Sequence, residues 1–120
     1  MSLSLNTRKV NGVVVVDMSG RLAAGEPVLL LRNTIRRFIE DGSRKFVLNL
    51  GGVSYIDSSG LGELIATYTS VRHQEGDVNL LNLSKSAKDL LQMTKLLTVF
   101  DCLDDEAKAV EKLAGKTQAN

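Results

Sequence analysis

Residues 45–62 read KFVLNLGGVSYIDSSGLG, and within them a β-strand gives way to a helix. The apolar and β-branched residues of 45–50 predict a strand, which residues 51–56 carry onward to Asp57. Beyond Asp57, apolar residues recur at helical spacing and predict an amphipathic helix that ends near Gly76. These apolar residues are Leu61, Leu64, Ile65, Tyr68 and Val71. A strand followed directly by a helix indicates an α/β fold.

The segment before this strand predicts a β-hairpin and then a helix. Apolar and polar residues alternate over 3–7, and Asn11-Gly12 separates them from the apolar run at 13–18. Asn-Gly between two such runs predicts a two-residue turn, because both central residues need positive φ. Residues 20–27 predict a loop whose last residue, a proline, suits the first turn of a helix. That helix is predicted to end at Gly42. Its apolar stripe comprises Val28, Leu31, Ile35, Phe38 and Ile39.

The segment after the second helix predicts a strand over 78–83, a short helix, a very short strand at 99–100 and a last helix over 104–113. Ser84 or Ser86 can cap the short helix. Its inner side is predicted to carry Leu90, Leu91 and Met93. This order predicts an α/β sandwich with a mixed four- to five-stranded sheet and about four helices. The central strands are expected to be parallel, and the first hairpin arm antiparallel at an edge.

Length and composition indicate one globular domain. The 120 residues are 43% hydrophobic and 24% charged, a typical balance for such a domain. We expect its core to span residues 4–113, with residues 1–3 a candidate cloning remnant and 114–120 a frayed tail. Cys102 and His73 are the only cysteine and histidine, so no disulfide and no thiolate or imidazole metal site is expected. The glycines do not form the nucleotide-binding patterns Gly-x-x-x-x-Gly-Lys-Ser or Gly-x-Gly-x-x-Gly, so no cofactor is expected.

Charge and hydropathy argue against nucleic-acid binding and membrane insertion. Fifteen basic and fourteen acidic residues nearly cancel, so the chain has no general attraction to phosphate. The best basic cluster, Arg32, Arg36 and Arg37, is balanced by acidic residues of the same segment and is interpreted as a solvated helix face. The most apolar short run near the start, residues 13–16, is far shorter than the roughly 20 residues needed to cross a bilayer. No secretory signal is present, so we expect a cytoplasmic protein.

The turn between the central strand and its helix has an unusual composition. Asp57 or either following serine is a good N-cap, since its side chain can accept a hydrogen bond from the first helical turn. Gly60 and Gly62 each lower helix stability by roughly 1 kcal/mol relative to alanine. Two explanations stay open at this point: close approach of another molecule, or tight packing of the helix against its own sheet.

Enzymatic uses of the turn find no support in the sequence. A serine nucleophile needs a base, and His73 would lie more than roughly 20 Å from Ser58 along the same helix. Asp57 and Glu63, six residues apart, would point to different sides of the helix, which argues against an acid–base pair. A phosphoaspartate receiver is not indicated either, because residues 18–21, MSGR, lack the acidic pair that would hold Mg²⁺.

Residues 55–62, YIDSSGLG, resemble the phosphoacceptor segment of the STAS family, the sulphate transporter and anti-sigma factor antagonist domains. Gly-Arg-Leu at 20–22, the strand at 45–50 and the order of elements are also similar to that family. The resemblance covers about residues 4–113, and it implies that the sandwich is of the STAS type.

The resemblance also implies a function. In bacterial antagonists of this family the serine directly after the aspartate is phosphorylated, and here that serine is Ser58. The unphosphorylated protein would bind an anti-sigma factor, itself a serine kinase, and so free a sigma factor for transcription. A phosphoserine phosphatase would reverse the modification, and the protein itself would not be an enzyme. The residues expected to support partner binding are Asp57, Ser59, Gly60, Leu61, Gly62 and Glu63.

One position departs from the family pattern. Ala23 stands where members often have an acidic residue, which puts the details of partner or kinase engagement in question. A second interpretation also stays open, in which the chain is an adaptor subunit of a lipid transport or stress-sensing assembly and is not phosphorylated. The oligomeric state, monomer or weak dimer, and the sigma factor concerned are left open as well.

Overall fold

The computed structural model describes residues 2–115. The elements follow the order β1 (Leu3–Val10), β2 (Val13–Leu22), α1 (Glu26–Glu40), β3 (Lys45–Ile56), α2 (Ser58–His73), β4 (Asp77–Leu81), α3 (Lys85–Met93), β5 (Asp101–Leu103) and α4 (Glu106–Ala114). The strands form one sheet in the order β1-β2-β3-β4-β5. β1 is antiparallel to β2, and the other neighbours are parallel. The predicted mixed sheet with a parallel centre is confirmed, as are the four helices.

Side chains of the central strands alternate between two apolar layers. Phe46 and Leu48 of β3 pack in the larger layer, together with Leu31 of α1 and Leu64 of α2. Val47 packs in a smaller layer with three residues of α4. Successive side chains of a strand point to opposite faces, so α1, α2 and α3 cover one face of the sheet and α4 covers the other.

The predicted hairpin is confirmed. Asn11 and Gly12 have φ of 52° and 79°, and Val10 pairs with Val13 across the turn. Gly42 has a φ of 97°, and its N–H donates to the carbonyl oxygen of Ile39 at 3.0 Å after the end of α1. Both turns use the left-handed conformation that glycine and asparagine adopt most readily.

Several boundaries differ from the sequence-based expectations, among them the end of β4 at Leu81 rather than at residue 83 and the start of α4 at Glu106 rather than at residue 104. The predicted loop begins too early, since residues 20–22 continue β2 and pair with residues 53–56 of β3. The strand predicted at 99–100 is wrong, because the pairing residues are Asp101–Leu103. Phe100 instead lies in the larger apolar layer with 4% of its surface exposed. The second helix ends at His73 rather than near Gly76.

The third helix is capped by Ser84, whose hydroxyl accepts a hydrogen bond from the Ala87 N–H at 3.1 Å. Leu91 is 2% exposed and Leu90 packs against the core, as predicted. The inner position predicted for Met93 is wrong, because this last residue of α3 is 80% exposed. A residue at the end of a short helix can follow the apolar period without having anything to pack against.

The ends of the described chain extend the expected core slightly. Leu3 begins β1 and is 5% exposed, and Ala114 still belongs to α4. Most of the predicted frayed tail, residues 116–120, lies outside the described residues.

An arginine on the α4 side of the sheet joins the hairpin to the last helix. Arg8 of β1 donates to Asp17 of β2 at 2.7 and 3.0 Å and to Glu106 of α4 at 2.8 and 2.6 Å. These hydrogen bonds from Arg8 are the main cause that lowers the pKa of both carboxyl groups. Asn49 donates a further hydrogen bond to Asp17 at 2.7 Å.

Candidate functional site

The turn after β3 is organised by the carboxylate of Asp57. Its Oδ1 accepts a hydrogen bond from the Gly60 N–H at 2.8 Å, which makes Asp57 the N-cap of α2 as expected. Its Oδ2 accepts from the Ala24 N–H at 3.1 Å, and its own N–H donates to the Leu22 carbonyl oxygen at 3.3 Å. Hydrogen bonds from Gly60 and Ala24 lower the pKa of this carboxyl group. Asp57 therefore fixes the start of α2 against the end of β2 as an ionised group.

This arrangement also locates the departure from the family pattern. Ala23 directly precedes Ala24, which donates to Asp57, so the unusual position adjoins the turn. An acidic side chain there would add a second negative charge close to Asp57. In this chain the carboxylate of Asp57 has no second acidic side chain at position 23 beside it.

Ser58 and Ser59 occupy the first two positions of α2, and both are exposed. Within residues 2–115 neither hydroxyl is hydrogen-bonded to another side chain or to the backbone. The first backbone N–H groups of a helix carry a partial positive charge, which favours an anion at its N-terminus. Both hydroxyls are therefore accessible from solvent, at the end of α2 that favours an anion.

The two glycines of the turn have different roles. A Cβ on Gly60 would collide with the backbone carbonyl oxygen of Leu22, so this glycine permits close packing of α2 on β2. A Cβ on Gly62 would meet no atom within 4 Å, and Gly62 is exposed. Of the two explanations offered above, packing therefore applies to Gly60, and Gly62 leaves bare backbone on the outer side of the helix.

Two of the expected site residues face the interior. Leu61 is 7% exposed and lies in the larger apolar layer. Glu63 is 4% exposed, and its Oε1 accepts hydrogen bonds from Arg32 Nη2 at 2.9 Å and Arg32 Nε at 3.2 Å. These residues hold α2 against the core and against α1, while Ser58, Ser59 and Gly62 form its outer surface.

The pair of Arg32 with Glu63 is a contact that the sequence did not reveal. Arg32 keeps 46% of its side chain exposed, as a solvated helix face requires, yet it also neutralises a buried carboxylate on the next helix. The two residues are 31 positions apart, and no local spacing connects them. The sequence carries no local signal for this pair, because position 63 lies off the apolar stripe that predicts the inner side of the helix.

A second missed feature lies at the end of β2. The guanidinium carbon of Arg21 is 4.2 Å from the centroid of the Tyr55 ring, and the two residues are register partners on β2 and β3. Tyr55 is 46% exposed, a large value for an aromatic side chain beside a core strand. The sequence does not predict this pair, because residues 20–22 are expected to form a loop, and a loop has no register with β3.

His73, the one histidine of the sequence, lies far from this turn. His73 is the last residue of α2, roughly 22 Å from Ser58 at 1.5 Å per residue. Within residues 2–115 no three histidine, cysteine, aspartate or glutamate side chains are placed to share a metal ion. In the same part of the chain, no helix combines the length and apolar character needed to cross a membrane.

Comparison with known proteins agrees with this geometry. The family model described as STAS domain matches residues 4–109. An anti-sigma-B factor antagonist of Bacillus subtilis is 29% identical over 102 residues, which cover 84% of this chain and 91% of that protein. A crystal structure of a putative anti-sigma factor antagonist from Thermotoga maritima superposes with a TM-score of 0.84 at 24% identity, covering 91% of this chain and 93% of that one. The Bacillus cell fate determinant SpoIIAA in its phosphorylated form gives a TM-score of 0.73 at 22% identity, covering 91% and 98%.

Proposed function

Since this chain belongs to the STAS domain family, we propose that it is an anti-sigma factor antagonist whose Ser58 is phosphorylated by the anti-sigma factor that it binds. The unphosphorylated chain binds this serine kinase in the cytoplasm and so frees a sigma factor. Phosphorylation releases the kinase, and a phosphoserine phosphatase restores the binding form. The relative from Bacillus subtilis, which bears the name of an anti-sigma-B factor antagonist, supports this proposal.

One observation carries the proposal: the exposed hydroxyl of Ser58 at the first position of α2, directly after the fixed carboxylate of Asp57. A kinase must grip the segment around its target and reach the hydroxyl without unfolding the chain. Asp57, hydrogen-bonded at both carboxylate oxygens, fixes the backbone directly before Ser58. Ser59 is also exposed, but it lies one position further from Asp57. The resemblance to the family favours Ser58 over Ser59 as the phosphorylated residue.

The charge of a phosphate is sufficient to switch binding without a change of fold. A phosphate on Ser58 adds about −1.5 to −2 charges at pH 7. At the N-terminus of α2 it meets a favourable dipole worth about 0.3 to 1 kcal/mol, so the helix survives. Across a docked interface the same group adds bulk and negative charge beside Asp57. About 2.8 kcal/mol of lost binding energy weakens a complex a hundredfold.

The test is an in vitro phosphorylation with the anti-sigma factor serine kinases of the same cell. The purified chain is incubated with each kinase and ATP, and its intact mass is read. We expect one phosphate, absent from Ser58→Ala and retained in the matched control Ser59→Ala. Ser58→Asp should lose affinity for the kinase that modifies the wild-type chain.

Two results would overturn the proposal. Phosphate that persists in Ser58→Ala would place the modification elsewhere. Binding that Ser58→Asp leaves unchanged would identify a constitutive adaptor subunit in place of a switch. The first result concerns the residue and the second the function.

A further inference from the structure

Arg21 differs from the other arginines that are held in a fixed position. Arg8 and Arg32 each contact at least one carboxylate, and Arg44 donates to two backbone carbonyls. Arg21 has no carboxylate partner within residues 2–115, although the ring of Tyr55 fixes its guanidinium. The guanidinium carbon lies over the ring, and within the described residues no N–H group of Arg21 is hydrogen-bonded. A guanidinium held in this way is prepared for a two-point contact with a carboxylate.

The position of this pair places it beside the proposed partner-binding turn. Arg21 and Tyr55 are each the next-to-last residue of a neighbouring strand, and Tyr55 precedes Ser58 by three positions. The following residue of β2, Leu22, accepts the hydrogen bond from the Asp57 N–H. A protein that covers Ser58 therefore comes close to the Arg21–Tyr55 pair. Arginine and tyrosine are also the residue types that most often dominate binding energy at interfaces.

We propose that the Arg21–Tyr55 pair is an anchor that binds an aspartate or glutamate side chain of the anti-sigma factor. This inference rests on the proposed function, and it names the chemistry of the partner group that contacts the Arg21–Tyr55 pair. The occupant carries a single negative charge, because one guanidinium is present and the ionised Asp57 stands at the same end of the sheet. The chain as a whole, with a net charge of +1, offers no wider positive field for a polyanion.

The experiment measures the affinity of the anti-sigma factor kinase that phosphorylates the wild-type chain for a set of variants. Arg21→Glu should weaken binding roughly tenfold to a hundredfold, the range typical of a lost charge-assisted hydrogen bond followed by repulsion. Arg21→Gln, which avoids the repulsion, should weaken it less. Tyr55→Phe should weaken binding less than Tyr55→Leu, because phenylalanine keeps a ring beside the guanidinium.

A matched control is available at the other end of the sheet. Lys9→Glu makes the same change of charge on exposed β1, opposite Val14 of β2, roughly 23 Å along the strands from Arg21. It should leave the affinity within about twofold of wild type, because exposed charges further apart than the screening length of about 10 Å interact weakly. Far-UV circular dichroism and urea unfolding of each variant separate a lost contact from a lost fold.

A charge swap gives the decisive result. Each aspartate and glutamate of the kinase surface is changed to arginine, and one of these variants should restore binding to Arg21→Glu while binding the wild-type chain poorly. Wild-type affinity of Arg21→Glu, together with release by Ser58→Asp, would overturn the anchor and leave the proposed function standing. Failure of the unmodified chain to bind any anti-sigma factor kinase would overturn both. Normal binding of Arg21→Glu with abnormally tight binding of its phosphorylated form would assign Arg21 to the Ser58 phosphate and also refute the anchor.

Discussion

The two glycines at the start of α2 respond to the same substitution with opposite signs. Alanine stabilises a helix by about 0.5 to 1 kcal/mol relative to glycine. At Gly62 the new methyl group meets no atom within 4 Å, so Gly62→Ala should gain that amount. At Gly60 the methyl group would overlap the carbonyl oxygen of Leu22, a residue with no exposed surface.

The collision at Gly60 cannot be relieved by rotating a side chain, because the obstructing atom belongs to the backbone of β2. Moving α2 away would stretch the hydrogen bond from the Asp57 N–H to Leu22 and open the larger apolar layer. Overpacking of this kind costs about 1 to 3 kcal/mol, more than the helix propensity returns. Gly60→Ala should therefore lower the free energy of unfolding by about 2 kcal/mol.

Urea unfolding followed by far-UV circular dichroism measures the difference directly. The free energies of unfolding of the two variants should differ by about 3 kcal/mol. For a domain of this size, that difference corresponds to urea midpoints roughly 1 to 2 M apart. The wild-type midpoint should lie between them. If both alanines shift the midpoint in the same direction, or if Gly60→Ala unfolds at the wild-type midpoint, the packing explanation of Gly60 is refuted.

Three further experiments test the contacts around the site and the core. Arg32→Met leaves the buried carboxylate of Glu63 without its partner and should cost about 2 to 3 kcal/mol in urea unfolding, whereas Glu63→Gln should cost less than about 1 kcal/mol; equal costs would contradict the pairing. Arg8 lowers the pKa of the two carboxyl groups that it contacts, so their ion pairs stabilise the fold above the unfolded pKa values and are lost as pH falls through the folded ones. When the pH is lowered below about 4.5, the urea midpoint of the wild type should therefore fall. The midpoint of Arg8→Gln should vary less over the same pH range, and an equal variation in both proteins would contradict the role of Arg8. Leu91→Ala should destabilise by about 2 to 5 kcal/mol while Met93→Gln stays within about 0.5 kcal/mol, and a thermal melt showing similar losses for both would contradict their different burial.

Local patterns in the sequence predicted those parts of the fold that local interactions determine. Asn11-Gly12 specified its hairpin because a two-residue turn needs positive φ at both positions. Asp57 specified the start of α2 because its side chain satisfies an N–H three residues away. In both cases every atom responsible lies within a few residues of the position that was interpreted.

Features that depend on distant residues were missed or misplaced. Residues 20–22 have no strong strand pattern, and they become strand because the second half of β3 pairs with them. The burial of Glu63 could not be separated from a role in partner binding, since its partner Arg32 is on another helix. The very short β5 was placed two residues too early, because the apolar character of Phe100 reflects packing and not pairing.

The turn that holds Ser58 divides into an inner and an outer side, and this division makes the proposed switch mechanically simple. On the inner side, Gly60 and Leu61 pack against the core, and Asp57 bonds to the backbone of neighbouring segments. On the outer side, Ser58, Ser59 and Gly62 are exposed, and within residues 2–115 neither serine hydroxyl is hydrogen-bonded. Substitutions on the inner side should therefore change stability first, and those on the outer side should change partner binding at constant stability. A rigid support under an accessible hydroxyl allows a modification to act on the partner and not on the fold.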